Sequence, residues 1–325
     1  MIFREGVLRR WHIVEDEDWI LFYKDVLLSS TLLLFQSDRM GAFDELPEEC
    51  IAAILSRTTP VDAVRLSLVS KTLRSAADSD AVWNHFIPSY PDFIETIVSK
   101  SPTFANIRTK KAVYLALCDR YIIISDYEDD NARKSFQLDK KSGKDCYTFS
   151  ARFLDFTDSM LGFSCSRNIW TLTPDSRFTE VAARADVGWT DFLINICGRI
   201  NTIDLSPNTQ YAAYLVFKVI DVIGCSRPHV EFSVGVGNDH DDVTNPCYHT
   251  SKIVCLYRNY QGGANNTVVG LQSSIVRSDG WFEIEMGEFF NLGLENEVKM
   301  NVFMEMKDGN QNTRLLFEGI EVRPK

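Results

Sequence analysis

The sequence predicts an α+β multidomain chain in which a small helical module is followed by an antiparallel β-sandwich of jelly-roll type. Between Ala42 and about Tyr121, apolar residues recur three and four positions apart. Beyond Asp126 the period falls to two, and the alternating runs are separated by Gly, Pro, Asn and Asp. With 325 residues the chain can bury more than one core, and its 45% apolar and 24% charged residues suit a globular protein.

Residues 1–39 match neither pattern, and Met40 stands directly before the first helical signal. They are expected to be a dispensable extension read from an upstream start, with at most a loosely docked helix. The apolar stretch Trp19–Phe35 is short, carries Lys24 and Asp25, and follows the acidic run Glu15–Asp18. A membrane span needs about 20 largely uncharged residues, so a soluble chain is expected.

Residues 40–125 form the helical module. Ile51, Ile54 and Leu55 make one apolar stripe, and Val61, Val64 and Leu68 make the next. Pro47 and Pro60 suit first turns, where a missing N–H costs nothing, and Thr59 can cap the second helix. Leu46, Pro47, Ile51, Ile54, Leu55, Leu66, Val69 and Trp83 are too many apolar side chains for so short a segment to bury among themselves. Surplus apolar surface on a small helical piece requires a partner.

A polar, acidic stretch marks a linker at residues 126–134, and the β domain is expected over 135–325. Val230, Phe232, Val234 and Val236 alternate with Glu231, Ser233, Gly235 and Gly237. Phe282, Ile284 and Met286 alternate with Trp281, Glu283 and Glu285, and Val298 to Met306 repeats the pattern. Further strands are expected at Tyr147–Arg152, Ile194–Ile200, Tyr211–Asp221 and Leu315–Arg323. Seven or more strands of this kind imply two packed antiparallel sheets.

Composition narrows the chemistry. A net charge of −11 and a pI near 5.0 repel phosphate, so no nucleic-acid partner is expected. Eight cysteines without CxxC spacing read as reduced, buried thiols. Cys225, His229, Cys247, His249 and Cys255 lack the paired spacing of a zinc site, so neither metal nor cofactor is expected. No G-x-S-x-G, Walker or complete dinucleotide loop occurs, and no catalytic activity is expected of the chain itself.

Phe43-Asp-Glu-Leu-Pro47-Glu-Glu-Cys-Ile51, with Ile54-Leu55, Pro60-x-Asp62, Leu66-x-x-Val69-Ser70-Lys71, Arg74 and Val82-Trp83, resembles an F-box. The resemblance implies docking to the Skp-type adaptor of a cullin-RING ubiquitin ligase, in the cytoplasm or nucleus. Leu46, Pro47, Cys50, Ile51, Ile54, Leu55, Pro60, Leu66, Val69 and Trp83 are its candidate adaptor-binding residues.

The β half is similar to the phloem-protein-two, or Nictaba-type, lectin domain of plant F-box proteins. Ser135-Phe-Gln-Leu-Asp-Lys-Lys, Trp170-x-x-x-Pro174-x-Ser-Arg177-Phe178 and Leu205 to Lys218 carry the match, together with Asp279 to Phe290 and Gly319 to Lys325. This implies capture of a target protein, with N-glycans as the handle. A sugar ring requires an aromatic face and hydroxyl partners, which strand alternation offers at Trp281, Glu283 and Glu285. Trp170 and Trp189 are further candidates. The polar stretch Asn238–Asn266 exceeds the family pattern and is a place where specificity could reside. Two alternatives stay open: a carbohydrate-binding lectin with a non-functional F-box, and a sugar hydrolase using Glu283 and Glu285.

Overall fold

The computed structural model describes residues 46–88, 104, 107–125, 133–160, 163–164, 169–178, 180–185, 192–223, 229–237, 250–255, 274–306 and 312–325. The expected extension at 1–39, Trp189, most of the linker, the Asn238–Asn266 stretch apart from residues 250–255, Cys225, Cys247 and His249 lie outside these residues. The chain divides into two compact units, one helical and one built of strands.

In the helical unit α1 spans Glu48–Leu55, α2 Pro60–Leu66, α3 Lys71–Asp78 and α4 Asp80–Phe86. Pro60 opens α2 and the Thr59 hydroxyl accepts from the Asp62 N–H at 3.1 Å, the cap the sequence calls for. Ser70 caps α3 in the same manner through the Leu73 N–H. Pro47 sits one position earlier than expected, as the N-cap of α1, without a side-chain cap of its own. Glu48 and Glu49 in the first turn face the positive end of the helix instead.

Helix α1 packs on α3 and α4. Ile51, Leu55, Val64, Leu73, Val82 and Trp83 fill the interior, each at most 6% exposed. The Trp83 indole donates to the Ala77 carbonyl at 2.6 Å and packs against Tyr114, on helix α5 (Lys110–Asp119), with ring centroids 5.1 Å apart. Lys111 lies 5.3 Å from the centroid of the same ring and pairs with Asp78 at 2.6 Å.

The strands are β1 Ile122–Ser125, β2 Arg133–Leu138, β3 Asp145–Ser150, β4 Asp155–Met160, β5 Phe163–Ser164, β6 Ile169–Leu172, β7 Glu180–Ala185 and β8 Phe192–Asn201. They continue with β9 Thr209–Ile223, β10 His229–Gly237, β11 Thr250–Cys255, β12 Ile275–Val276, β13 Phe282–Asn291, β14 Glu297–Met306 and β15 Asn312–Pro324. One sheet runs β1-β2-β3-β15-β9-β13-β12, with β7 also on β15 and β6 on β7; the other runs β11-β10-β14-β8-β4-β5. Each pairing is antiparallel among the described residues. The sheet starts earlier than the linker expectation allows, because β1 precedes residue 126 and β2 already contains Arg133 and Lys134.

The alternation read from the sequence matches the burial. Val230, Phe232 and Val234 of β10 and Val298, Met300, Val302 and Met304 of β14 are fully buried, whereas Glu231 and Phe303 between them are exposed. The two sheets approach closely at Gly198, where an added Cβ would lie 2.8 Å from Leu154, 3.3 Å from Met300 and 3.4 Å from Ile320. Strand β15 pairs with β7 through its first half and with β3 through its second. The switch falls at a bulge between Phe317 and Gly319, where a Cβ would stand 1.7 Å from the Phe149 carbonyl oxygen and requires glycine.

Candidate functional site

The sequence-predicted adaptor residues divide by burial. Ile51, Leu55, Pro60 and Trp83 are buried inside the helical unit and are its own core rather than a free contact surface. Leu66 and Val69 are half-buried. Leu46 is 38% and Ile54 45% exposed, and Pro47 and Cys50 are exposed with them. Pro47, Cys50 and Ile54 are three and four residues apart and so share one face of α1. Exposed apolar surface on this unit is thus confined to fewer of these residues than the sequence count implies, since α1 turns its other face onto α3 and α4.

In the β unit, strand alternation does place Trp281, Glu283 and Glu285 on the face opposite Ile284, whose side is shared with Ile320 and the sheet interface. That outer face is covered, however. Trp281 is 0% exposed and packs with Val181 of β7, Val216 of β9 and Leu316 of β15 as a second small core. Its indole N–H donates to the Asp175 carbonyl at 3.1 Å, and Lys218, 5.6 Å from its centroid, pairs with Asp175 at 2.9 Å. The expectation of an open stacking platform is corrected: the turn at Thr173–Phe178 is held over the ring, which no sugar face can reach.

Glu283 and Glu285 are likewise occupied. The Glu283 carboxylate takes a forked pair of hydrogen bonds from Arg323 at 2.6 and 2.9 Å, and Lys325 binds Glu285 at 3.2 Å. Glu283 belongs to a larger lattice. Register aligns Thr148, Glu321, Tyr214 and Glu285 in one row across four strands. Arg277 meets Glu321 at 2.8 Å, Arg323 meets it at 3.0 Å, and Arg177 meets it at 3.4 Å while donating to Thr148 at 2.7 Å. Arg323 also lies over the Tyr214 ring, 3.8 Å from its centroid.

Burial alone would raise the Glu321 carboxyl, but Arg277, Arg177 and Arg323 outweigh it and hold it at about 2. Glu318 beside it is 2% exposed and accepts from the Ser176 hydroxyl and the Arg177 N–H, both at 2.9 Å. The cluster therefore locks the Ser176–Arg177 turn onto the sheet, with Glu321 held as a charged acceptor.

Trp170 has its backbone in β6, opposite Ala182 of β7, and its side chain lies outside the described residues. Among the described residues, a carboxyl with a raised value is one the sequence did not single out. Asp145 is 3% exposed, and burial pushes it up to about 6 against the Ser206 hydroxyl, which donates to it at 2.7 Å. The Ser206 N–H in turn donates to the Tyr211 hydroxyl at 3.1 Å. Sequence spacing could not join Asp145 to Ser206, because 61 residues separate them. Among the described residues no group of three or more His, Cys, Asp or Glu side chains is placed to hold a metal, and no helix is long and apolar enough to cross a membrane.

A capped helical unit with an exposed apolar stripe, joined to a two-sheet antiparallel sandwich, is the architecture of an F-box protein carrying a phloem protein 2 domain. The F-box domain profile matches residues 43–85 and the phloem protein 2 profile matches residues 144–324. The chain belongs to the F-box phloem protein 2 family. It is 37% identical over 286 residues to F-box protein PP2-B10 of Arabidopsis thaliana, covering 87% of this chain and 94% of that one. It is also 37% identical over 294 residues to F-box protein PP2-B13 and, over the same length, to F-box protein VBF, both of Arabidopsis thaliana; 86% of this chain is covered each time, with 98% and 99% of theirs.

Proposed function

We propose that this protein is the substrate-recognition subunit of a Skp-cullin-F-box ubiquitin ligase, acting in the cytoplasm or nucleus. Its F-box docks on the Skp-type adaptor, and its sandwich captures target proteins through their N-glycans. The observation that carries the docking half is the exposed stripe of Leu46, Pro47, Cys50 and Ile54 on a unit whose interior is already filled by Ile51, Leu55 and Trp83. An apolar helix face laid into a groove is a standard recognition mode, and a filled interior allows the stripe to be presented without unfolding.

The chain itself is proposed to be non-catalytic. Glu283 and Glu285, the acids a hydrolase would need, are bound by Arg323 and Lys325. The ligase would gain rate from proximity, with the subunit raising the local concentration of target near the transfer site. Co-purification with a Skp-type adaptor tests the reading. Replacing Leu46 and Pro47 together by alanine is expected to abolish recovery of the adaptor while the sandwich keeps its melting transition; unchanged recovery would remove the docking reading.

A further inference from the structure

The turn Asn201–Asp204, the end of β10 and the end of β13 border a half-open cleft of about 470 Å³ at one end of the sandwich. The size falls within the range of small-ligand sites. Val234, Val236 and Phe289 line it with apolar surface, and Phe290 stands in its wall with 49% of its surface exposed. Leu292, Leu294 and Ile203, each at least half exposed, continue the apolar surface along the neighbouring turns.

The wall is held rigidly. The Asn291 side-chain amide donates to the carbonyls of Thr202, Leu205 and Ser206 at 2.9, 3.0 and 3.1 Å, and its carbonyl accepts from the Gly293 N–H at 2.8 Å. The Thr202 hydroxyl donates to the Asn296 carbonyl at 3.1 Å and accepts from the Asn296 N–H at 2.9 Å. A pocket whose backbone is fixed before the ligand arrives loses less entropy on binding.

The polar groups facing this cleft select the ligand's chemistry. Gln210, paired with Phe290 across β9 and β13, donates to Glu288 at 3.3 Å, and Lys325 is committed to the same carboxylate. The lining thus offers amides and a carboxylate around an aromatic ring, with the lysine already neutralised. Such a set repels phosphates and carboxylates and suits a ligand rich in hydroxyls with an apolar C–H face.

The geometry points to this cleft, and not to the strand around Trp281, as the site where the sandwich holds a neutral oligosaccharide. The assignment rests on the proposed reading that the β domain captures glycosylated targets. The Phe290 ring stacks on a pyranose face, and Gln210, Glu288 and the Asn296 side chain bond its hydroxyls.

The test uses the full chain on a printed array of neutral oligosaccharides, including N-glycans, followed by calorimetric titration of the best-retained sugar. Phe290→Ala and Gln210→Ala are expected to weaken binding about tenfold or more, with melting temperature and adaptor binding unchanged. Trp281→Phe is expected to bind as the parent does. Asn296→Ala replaces Phe290→Ala if the latter lowers the melting temperature. Retention of a sugar by the parent with equal affinity in the Phe290, Gln210 and Asn296 variants would overturn the cleft assignment and leave glycan capture standing. A parent chain that retains no sugar would overturn both.

Discussion

Replacing Trp281 separates a structural tryptophan from a binding one. The side chain is fully buried, touches Val181, Val216 and Leu316, and donates one hydrogen bond to Asp175. Truncating a buried tryptophan to alanine costs roughly 3–5 kcal/mol, from lost burial and the cavity left behind. For a domain of this size each kcal/mol moves the melting temperature by about 2–4 °C, so Trp281→Ala should lower the sandwich transition by roughly 6–20 °C. Trp281→Phe keeps most of the ring packing and loses the N–H donor, worth about 1 kcal/mol, plus some contact area. It should therefore fall between the two. Differential scanning calorimetry of the three proteins, with tryptophan fluorescence as a second probe, gives the ordering. A melting temperature within about 2 °C of the parent for Trp281→Ala would show the ring to be a surface platform after all and refute the covered-face account.

Gly319→Ala should leave the sandwich unfolded or insoluble, because a Cβ placed 1.7 Å from the Phe149 carbonyl forces β3 and β15 apart; soluble protein with parental stability would show that the bulge can relax. Asp145 gives a pH signature. Its carboxyl is easier to protonate folded, at about 6, than unfolded, near 3.8, so the contribution it makes is fully present below about pH 4 and lost as pH rises through 6. The loss amounts to about 3 kcal/mol by linkage. The stability difference between parent and Asp145→Asn, followed by urea denaturation, should shift by that order in favour of the variant between pH 4 and pH 8, and a difference that stays flat across this range would contradict the buried placement.

The strands legible in the sequence were those buried on one face with strict alternation, such as β10 and β14, and those bounded by clear turns, such as β9 and β15. Strand β7, Glu180–Ala185, was not legible, since Glu, Ala and Arg favour helix and it is pairing with β15 that makes it extended. Strand β1 directly follows helix α5 and is too short to show a period. For the site, periodicity correctly assigned Trp281 to the face away from Ile284. It could not reveal that β7 and the Ser176–Arg177 turn return to cover that face, a consequence of pairing across about 130 residues of chain or more. Exposure on α1 was equally hidden, because Ile51 and Ile54 look alike until the packing on α3 and α4 chooses between them.

The docking surface is most directly probed at Ile54, which is 45% exposed and outside the core of its unit. Titrating a purified Skp-type adaptor into the full-length chain and into its Ile54→Asp variant measures what the α1 stripe contributes. A central apolar anchor of such an interface is worth about 2–4 kcal/mol, so the variant should bind at least roughly thirtyfold more weakly with its helical circular dichroism and melting temperature intact. Equal affinity of the two proteins, or a parent chain that does not bind the adaptor, would contradict the assignment of this face.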